Sequence, residues 1–304
     1  MELSWLEDFL ALVESGNFSR AAERRNMTQP AFSRRIRALE DWVGAPLFDR
    51  ETHRIELTVS GEQFRPVAED IVRRLSTGRE AAREAGSSAA ASLKFASTHA
   101  LSLTFFPAFL RKLEADTAPG PVRLIADSMV ACERIMLQGQ VQFLLCHHHP
   151  AAWNRLDPHE FHSLHLGHDT LLPVTARSDS GEARFVLPGE EGAAVPYLAY
   201  SEESGIGRIV AAVRGLDGPR AWLDPVFTSH VATVLKSMAT GGRGIAWLPL
   251  SLLNEELDPD GSLVRAGDES WDIGMEIRLF RPRSRQSDAA EAFWAHLTKY
   301  GQFV

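Results

Sequence analysis

Cysteine is nearly absent from this chain. Its 304 residues hold two, Cys132 and Cys146, too few for a disulfide framework and without the C-x-x-C spacing of a zinc knuckle or redox pair. Buried, reduced thiols are the reading that follows. Also missing is any uninterrupted apolar run long enough to cross a bilayer. The opening MELSWLEDFL is broken by acids where a secretory leader would place a basic and then an apolar stretch. The expectation is a soluble, cytoplasmic protein with no membrane partner. Enzyme signatures are lacking too: neither G-x-S-x-G nor H-E-x-x-H occurs. The glycine-rich GGRG at Gly241 to Gly244 follows a helical run and precedes the strand-like IAWL, the reverse of the order a dinucleotide fingerprint requires. It reads as a helix C-cap turn. No cofactor and no catalysis are expected. Positive charge is in deficit, with a formal net charge of -8, which at first argues against a nucleic-acid partner.

Distribution matters more than the sum. Arg20, Arg24, Arg25, Arg34, Arg35 and Arg37 stand close together with Glu23 as the acid among them, a basic footprint on an acidic protein. Leu6, Phe9, Leu10 and Val13 recur at helical spacing and predict a helix from about Ser4 to Glu14, stopped at Ser15-Gly16. Ser19 is expected to cap a short second helix carrying the small Ala21 and Ala22 and ending at Asn26. Thr28 is expected to cap a third, with Pro30 tolerated in its first turn. Phe32, Ile36, Leu39 and Val43 fall on one stripe of that helix and must face the core. Gln29, Pro30, Ser33, Arg34 and Arg37 lie on the opposite arc, where side chains can reach base edges and phosphates. Helix, short helix, turn and helix with such a face predict a helix-turn-helix.

After Gly44, LFDR and RIELT around a polar turn read as a β-hairpin wing carrying Arg50 and Arg54. Thr58 or Ser60 then caps a helix from about Gly61 to Ala85, whose stripe of Phe64, Val67, Ile71 and Leu75 is expected to pair with a second copy. GSSAAAS is a small-residue linker. Beyond it, strand-like and helical runs alternate: LKFAST, VRLIAD and FLLCHH in one unit, then DTLLPVTA, PYLAYS, PVFTS and GIAWLP in another, with MEIRLF returning to a closing helix through Phe293, Trp294 and Leu297. This predicts an α/β class with a largely parallel sheet, in two lobes that the chain crosses twice around a hinged cleft. The boundaries expected are residues 1–58 for the winged helix-turn-helix, 59–91 for the linker helix and hinge, and 92–304 for the two-lobed domain.

The pattern of Ala21 and Ala22; Thr28, Gln29, Pro30 and Ala31; Ser33 and Arg34; Leu39 and Glu40; and Leu47, Phe48 and Arg50 closely resembles the N-terminal signature of the LysR-type regulators. Arg25 departs from it, standing where many members carry leucine. The resemblance implies a winged helix-turn-helix, a linker-helix dimer and an effector domain similar to periplasmic binding proteins. It also implies double-stranded promoter DNA and RNA polymerase as partners, and assembly as a homodimer or homotetramer. It assigns Gln29, Ser33 and Arg34 to base and nearby backbone contacts, with Thr28, Pro30, Arg37, Arg50, Arg54 and Thr58 completing the DNA set. THALSLTFFP, SGIGR and GGRGIAWLP look most like a hypochlorite-responsive member in which sensing is assigned to methionines. Ile206 stands here in place of the matching methionine, which leaves Met129, Met136, Met238 and Met275 for any such chemistry.

In the cleft, Ser97, Thr98 and His99 follow the first strand and precede a helix, which suits a small anion. Ser201 with Ser204, and Thr228 with Ser229, occupy comparable turns in the other lobe, and His147 is expected to line the same space. Plain N-capping is the alternative for each hydroxyl. His147, His148, His149, His159, His162, His165 and His168 beside Cys146 suggest metal. Consecutive histidines on a strand point to alternate faces, however, and no metal site is expected. The leading expectation is a regulator answering to a small effector or an oxidant. The alternative is a cytoplasmic solute-binding or enzymatic α/β protein whose N-terminal helices serve assembly.

Overall fold

The computed structural model describes residues 2–49, 55–85, 92–116, 120–216, 221–253, 256–257 and 261–300. Two compact units partition the chain: Met1–Ser88 with Leu137–Gln140, and Ala89–Met136 with Val141–Val304.

In the N-terminal unit, α1 (Leu3–Ser15) buries Leu6, Phe9, Leu10 and Leu12, then ends where Gly16 turns left-handed and its N–H donates to the Leu12 carbonyl. The next helix, α2 (Phe18–Arg24), is capped by Asn17 rather than Ser19. The Asn17 side-chain Oδ1 accepts from the N–H groups of Ser19 and Arg20 at 2.9 and 3.1 Å. A serine already inside the first turn cannot bond those donors. Asn26, at φ 53°, leads into α3 (Gln29–Val43). Thr28 holds the extended N-cap position there but makes no side-chain cap bond. Phe32, Ile36 and Leu39 are fully buried against Leu6, Phe9, Ala21 and Ala22. The wing strands β1 (Phe48–Asp49) and β2 (Glu56–Leu57) pair antiparallel, Phe48 opposite Leu57. Its tip, with the expected contacts Arg50 and Arg54, lies outside the described residues.

Arg25 finds a role that hydrophobic patterning could not show. Its guanidinium donates to Glu7 and to the fully buried Asp8, each at 2.6 Å, and Arg35 approaches the other Asp8 oxygen at 3.2 Å. An aspartate on the inner face of α1 is thus held by the arginine that ends α2 at its C-cap and by one from α3. Arg25→Leu, restoring the commoner family residue, is expected to destabilise this unit by about 1–3 kcal/mol, because a buried carboxylate loses its better partner. Asp8→Leu combined with Arg25→Leu should recover part of that loss. Urea denaturation followed by circular dichroism checks it, and a single variant as stable as the parent refutes it.

The linker helix α4 (Val59–Ala85) begins after Thr58, whose hydroxyl donates to the Pro46 carbonyl at 2.7 Å and accepts from the Gly61 N–H at 3.1 Å. Its expected apolar stripe divides. Phe64 packs into the core beside Ala68 and Val72, whereas Val67, Ile71 and Leu75 stay exposed.

The second unit is built on a seven-stranded mixed sheet. Strands β3 (Leu93–Thr98), β4 (Val122–Asp127) and β5 (Phe143–His148) are parallel, with β3 in the centre. Between them run α5 (His99–Thr104), α6 (Phe106–Asp116) and α7 (Met129–Leu137). The chain leaves this lobe by β6 (Phe161–Ala176) and returns by β11 (Ile273–Pro282), which pair antiparallel along most of their length. At about 3.3 Å per residue a strand of that length spans both lobes, and burial shows that it does. Leu166 of β6 and Ile277 and Leu279 of β11 enter one core with Phe95, Phe143 and Phe293. Leu171, Leu172 and Val174 of β6 and Ile273 and Met275 of β11 enter the other, with Trp247, Leu235 and Ile209.

The second lobe adds β7 (Val195–Tyr200), α8 (Gly205–Leu216), β8 (Leu223–Ser229), α9 (Ala232–Thr240), β9 (Ala246–Pro249) and β10 (Leu263–Arg265), and α10 (Asp288–Tyr300) closes on the first lobe. The pair β7 and β8 is parallel, while β9 and β10 run antiparallel to β6. A largely parallel sheet therefore holds within the βαβ parts and fails at the crossings, since a chain that exits and returns on adjacent strands must reverse. The GGRG segment is a C-cap turn: Gly241 caps α9, Gly242 is left-handed, and a Cβ on Gly244 would lie 2.5 Å from the Pro196 carbonyl oxygen. Among the described residues no helix is long and apolar enough to cross a membrane.

Candidate functional site

Two surfaces carry chemistry. On α3 and its N-cap, Thr28, Gln29, Pro30, Arg34 and Arg37 are exposed and Ser33 is half-buried. The basic footprint is narrower than composition indicates. Arg24 lies 3.5 Å from Glu14, Arg25 is held by Glu7 and Asp8, and Arg35 turns inward to Asp8 and the Met27 sulfur. Arg34 and Arg37 make no ion pair among the described residues. They project from an exposed face with their charge uncompensated, the state needed to meet phosphate or guanine. Thr58 is less suited than expected. Its single hydroxyl hydrogen already serves Pro46, and a phosphate oxygen can only accept.

The second surface is a small cavity at the carboxyl ends of the strands. Its lining includes Thr98 and His99 after β3, Asp127 and Ser128 after β4, His147 on β5, Ser204 and Ile206 beside α8, and His230 before α9. The amino ends of α5, α7, α8 and α9 all border it. Each brings the positive end of a helix dipole, although the Val130 and Ala131 N–H groups of α7 and the Gly207 N–H of α8 are already paired, with the Glu203 carbonyl, Ser128 Oγ and Ser204 Oγ.

Of the residues expected in the cleft, the structure brings together Thr98, His99, His147 and Ser204. Ser97, Ser201, Thr228 and Ser229 are not part of the lining. Ser97 neighbours Thr98 on a strand and so faces the other way, fully buried, with its hydroxyl on the Thr98 carbonyl. Ser229 accepts from the Val231 N–H at 3.1 Å, and Thr228 points outward. Ser201 donates its backbone N–H to the Ser229 carbonyl. None of the four caps a helix through its side chain, and Ser201 Oγ is buried with no partner among the described residues. His230 and Ser128 escaped the sequence reading, although each stands at the same strand-to-helix junction as a residue that was found.

His147 is the most constrained side chain of the cavity. It is 5% exposed, and its Nε2 lies 3.1 Å from Asp169 Oδ2 on β6. Asp169 also accepts from the Ser251 hydroxyl at 2.6 Å and the Thr170 N–H at 2.8 Å. Burial would push that carboxyl up, yet the bonds from His147, Ser251 and Thr170 hold it below the ordinary range. Opposite Asp169, His147 Nδ1 is buried without a hydrogen-bond partner among the described residues, and so is Thr98 Oγ1. Across the cavity, the rings of His99 and His230 lie 5.8 Å apart.

The remaining histidines spread over the sheet. His148 and His168 both face Glu276 across β11, and the His165 and His168 rings are 4.4 Å apart. Among the described residues no group of His, Cys, Asp and Glu is placed to hold a metal ion. Cys132 and Cys146 are free and buried, and burial pushes the Cys132 thiol up to about 12.

Comparison with known proteins places these surfaces in context. The family described as "Bacterial regulatory helix-turn-helix protein, lysR family" matches residues 3–62, and "LysR substrate binding domain" matches residues 86–302. The chain is 31% identical over 297 residues to the HTH-type transcriptional regulator YjiE of Escherichia coli K12, covering 98% of this chain and 94% of that one. The solved structure of DarR from Vibrio fischeri in complex with DNA is 33% identical, covers 98% of both chains and superposes with a TM-score of 0.55. Full-length HypT from Salmonella typhimurium, a hypochlorite-specific LysR-type regulator, is 30% identical over 98% of both chains, with a TM-score of 0.58.

Proposed function

Since the chain belongs to the LysR family and is a DNA-binding transcriptional regulator with an effector-binding domain, we propose that a small polar effector seated between Thr98, His147, Ser204 and His230 sets its affinity for promoter DNA. The carrying observation is that two residues lining one cavity bordered by helix amino ends, Thr98 and His147, each hold a buried polar atom, Oγ1 and Nδ1, without a partner among the described residues. Leaving such atoms unpaired costs about 1–3 kcal/mol each, and an occupant with complementary groups recovers it. Gln29, Ser33 and Arg34 read bases, with Thr28, Pro30, Arg37, Arg50 and Arg54 on the backbone. The boundaries we assign remain 1–58, 59–91 and 92–304. The exposed Val67, Ile71 and Leu75 of α4 support pairing with a second copy, and we assign a homotetramer in the cytoplasm that acts on RNA polymerase at the promoter.

The test is thermal unfolding of the full-length protein against a panel of small carboxylates, halides and oxidants. A ligand at about 100 times its Kd adds about 2.7 kcal/mol, and Thr98→Val should abolish the shift. A panel without any shift removes the proposal.

One observation favours an oxidant as effector. Met129 lines the cavity and packs on Gly205, next to Ile206, where methionine is absent. Met136 and Met275 are buried elsewhere, and none of Met136, Met238 and Met275 lines it. Sulfoxide formation at Met129 would set a polar group against the start of α8. Met129→Leu should then lose an oxidant response, and a retained response excludes this route.

A further inference from the structure

The last turn of α3 carries an acid where a helix disfavours one. Glu40 stands there, past Arg37, and no basic residue shares the turn. Negative charge at that end meets the negative pole of the helix dipole, so the helix itself gives no reason for it. The side chain does. Its Oε1 accepts from two successive backbone N–H groups, those of Leu47 at 2.9 Å and Phe48 at 3.2 Å. Leu47 is fully buried, and Phe48 opens the wing strand β1. Two adjacent peptide groups converging on one oxygen fix the direction in which the chain leaves α3 and enters the wing.

The other side of Leu47 is fastened as well. Its carbonyl accepts from the Thr58 N–H at 3.0 Å, just past β2, and the Pro46 carbonyl accepts from the Thr58 hydroxyl at 2.7 Å. Gly61, in the first turn of α4, approaches so closely that a Cβ there would run into the Leu47 carbonyl oxygen and crowd the Leu57 side chain. One buried residue thus joins the recognition helix, both wing strands and the start of α4. The hydrogen-bonded tie to α3 is made by the Glu40 carboxylate.

We propose that Glu40 is a positioning residue for DNA recognition: it sets the wing against α3 so that both reach one duplex, α3 at bases and the wing at phosphates. That role rests on the assignment of Arg50 and Arg54 to the DNA backbone and adds the residue through which the assignment operates. Glu40→Ala leaves the Leu47 and Phe48 N–H groups without this acceptor, and the wing loses its fixed entry. Gln29, Ser33 and Arg34, toward the other end of α3, keep their places. Glu40→Gln retains an acceptor oxygen at the same reach and is expected to serve in place of the acid.

The test is fluorescence anisotropy of the full-length protein on a random duplex at several salt concentrations. Partial unfolding lowers the amount of active protein but leaves the slope of log Kd against log salt alone, so the slope reports contacts. Arg54→Ala should flatten it by about one, the share of one phosphate contact. Glu40→Ala should flatten it by about one to two, because Arg50 and Arg54 both lie in the chain between β1 and β2. Glu40→Gln should stay close to wild type. In the Glu40→Ala, Arg54→Ala double variant the loss should fall short of the sum, since a contact already displaced cannot be lost again. A wild-type slope in Glu40→Ala, additive losses, or a Glu40→Gln slope as flat as that of Glu40→Ala overturns the inference while the wing assignment stands. A wild-type slope in Arg54→Ala overturns both. If circular dichroism shows Glu40→Ala unfolded, Gly61→Ala displaces Leu47 with Glu40 in place. The same flattening, again less than additive with Arg54→Ala, is then expected, and an unchanged slope overturns the inference.

Discussion

Replacing Arg208 with alanine is expected to cost the effector domain about 3–5 kcal/mol, the loss seen when a buried charge is deprived of its partner. Glu133 is fully buried on α7 and accepts from Arg208 of α8 through both oxygens, at 2.8 and 3.0 Å, and from the Arg155 N–H at 3.0 Å. Without the guanidinium, one backbone donor remains for a full negative charge. Arg208→Lys keeps the charge but not the fork, and should fall between. Glu133→Gln with Arg208→Ala should recover part of the loss. Urea midpoints followed by tryptophan fluorescence decide the matter, and a change below about 1 kcal/mol for Arg208→Ala would contradict the reading. The pair also ties together two of the four helices that border the cavity, α7 and α8, near their amino ends. Weakened effector binding should accompany the destabilisation.

The other large effect is expected at Arg34. Alanine there should reduce affinity for the specific operator by about 1–3 kcal/mol if the guanidinium makes one bidentate base contact, while binding to random duplex changes little. Arg37→Ala should instead weaken both duplexes alike and lower the salt dependence by about one phosphate contact. Arg35 and Arg25, although part of the same basic run, act inward on Asp8; replacing them should change stability before specificity. Fluorescence anisotropy at several salt concentrations separates these outcomes. Equal loss on operator and random DNA for Arg34→Ala removes it from the base-reading set.

The helix-turn-helix was legible because it is local. Phe32, Ile36 and Leu39 mark the inner stripe of α3 by spacing alone, and Gly16 and Gly44 mark the ends of α1 and α3 by their left-handed turns. What was not legible depends on partners distant in sequence. Nothing near Arg25 announces that Asp8 is buried beneath it, and nothing near His147 announces Asp169 or Ser251. The cavity was half-readable for a related reason. Strand-to-helix junctions can be found from pattern, which yielded Thr98, His99 and Ser204. Which of two neighbouring residues faces inward follows from strand alternation and the exact helix start, and that excluded Ser97, Thr228 and Ser229. The antiparallel crossings were missed because β6 was read as a short strand, DTLLPVTA, when its first half supplies the other lobe.

The crossings have a consequence for how such a protein diversifies. Both lobes are stitched into one ladder by β6 and β11, whose apolar side chains feed two cores at once, so a substitution along them disturbs the whole domain. The cavity lining comes chiefly from junctions at strand ends, where each loop contributes one or two side chains. Drift can therefore exchange Ser128, Ser204 or His230 singly, altering the chemistry of the cavity while the frame around it stays intact. A lineage can acquire a new lining by a few steps of this kind without passing through an unfolded intermediate.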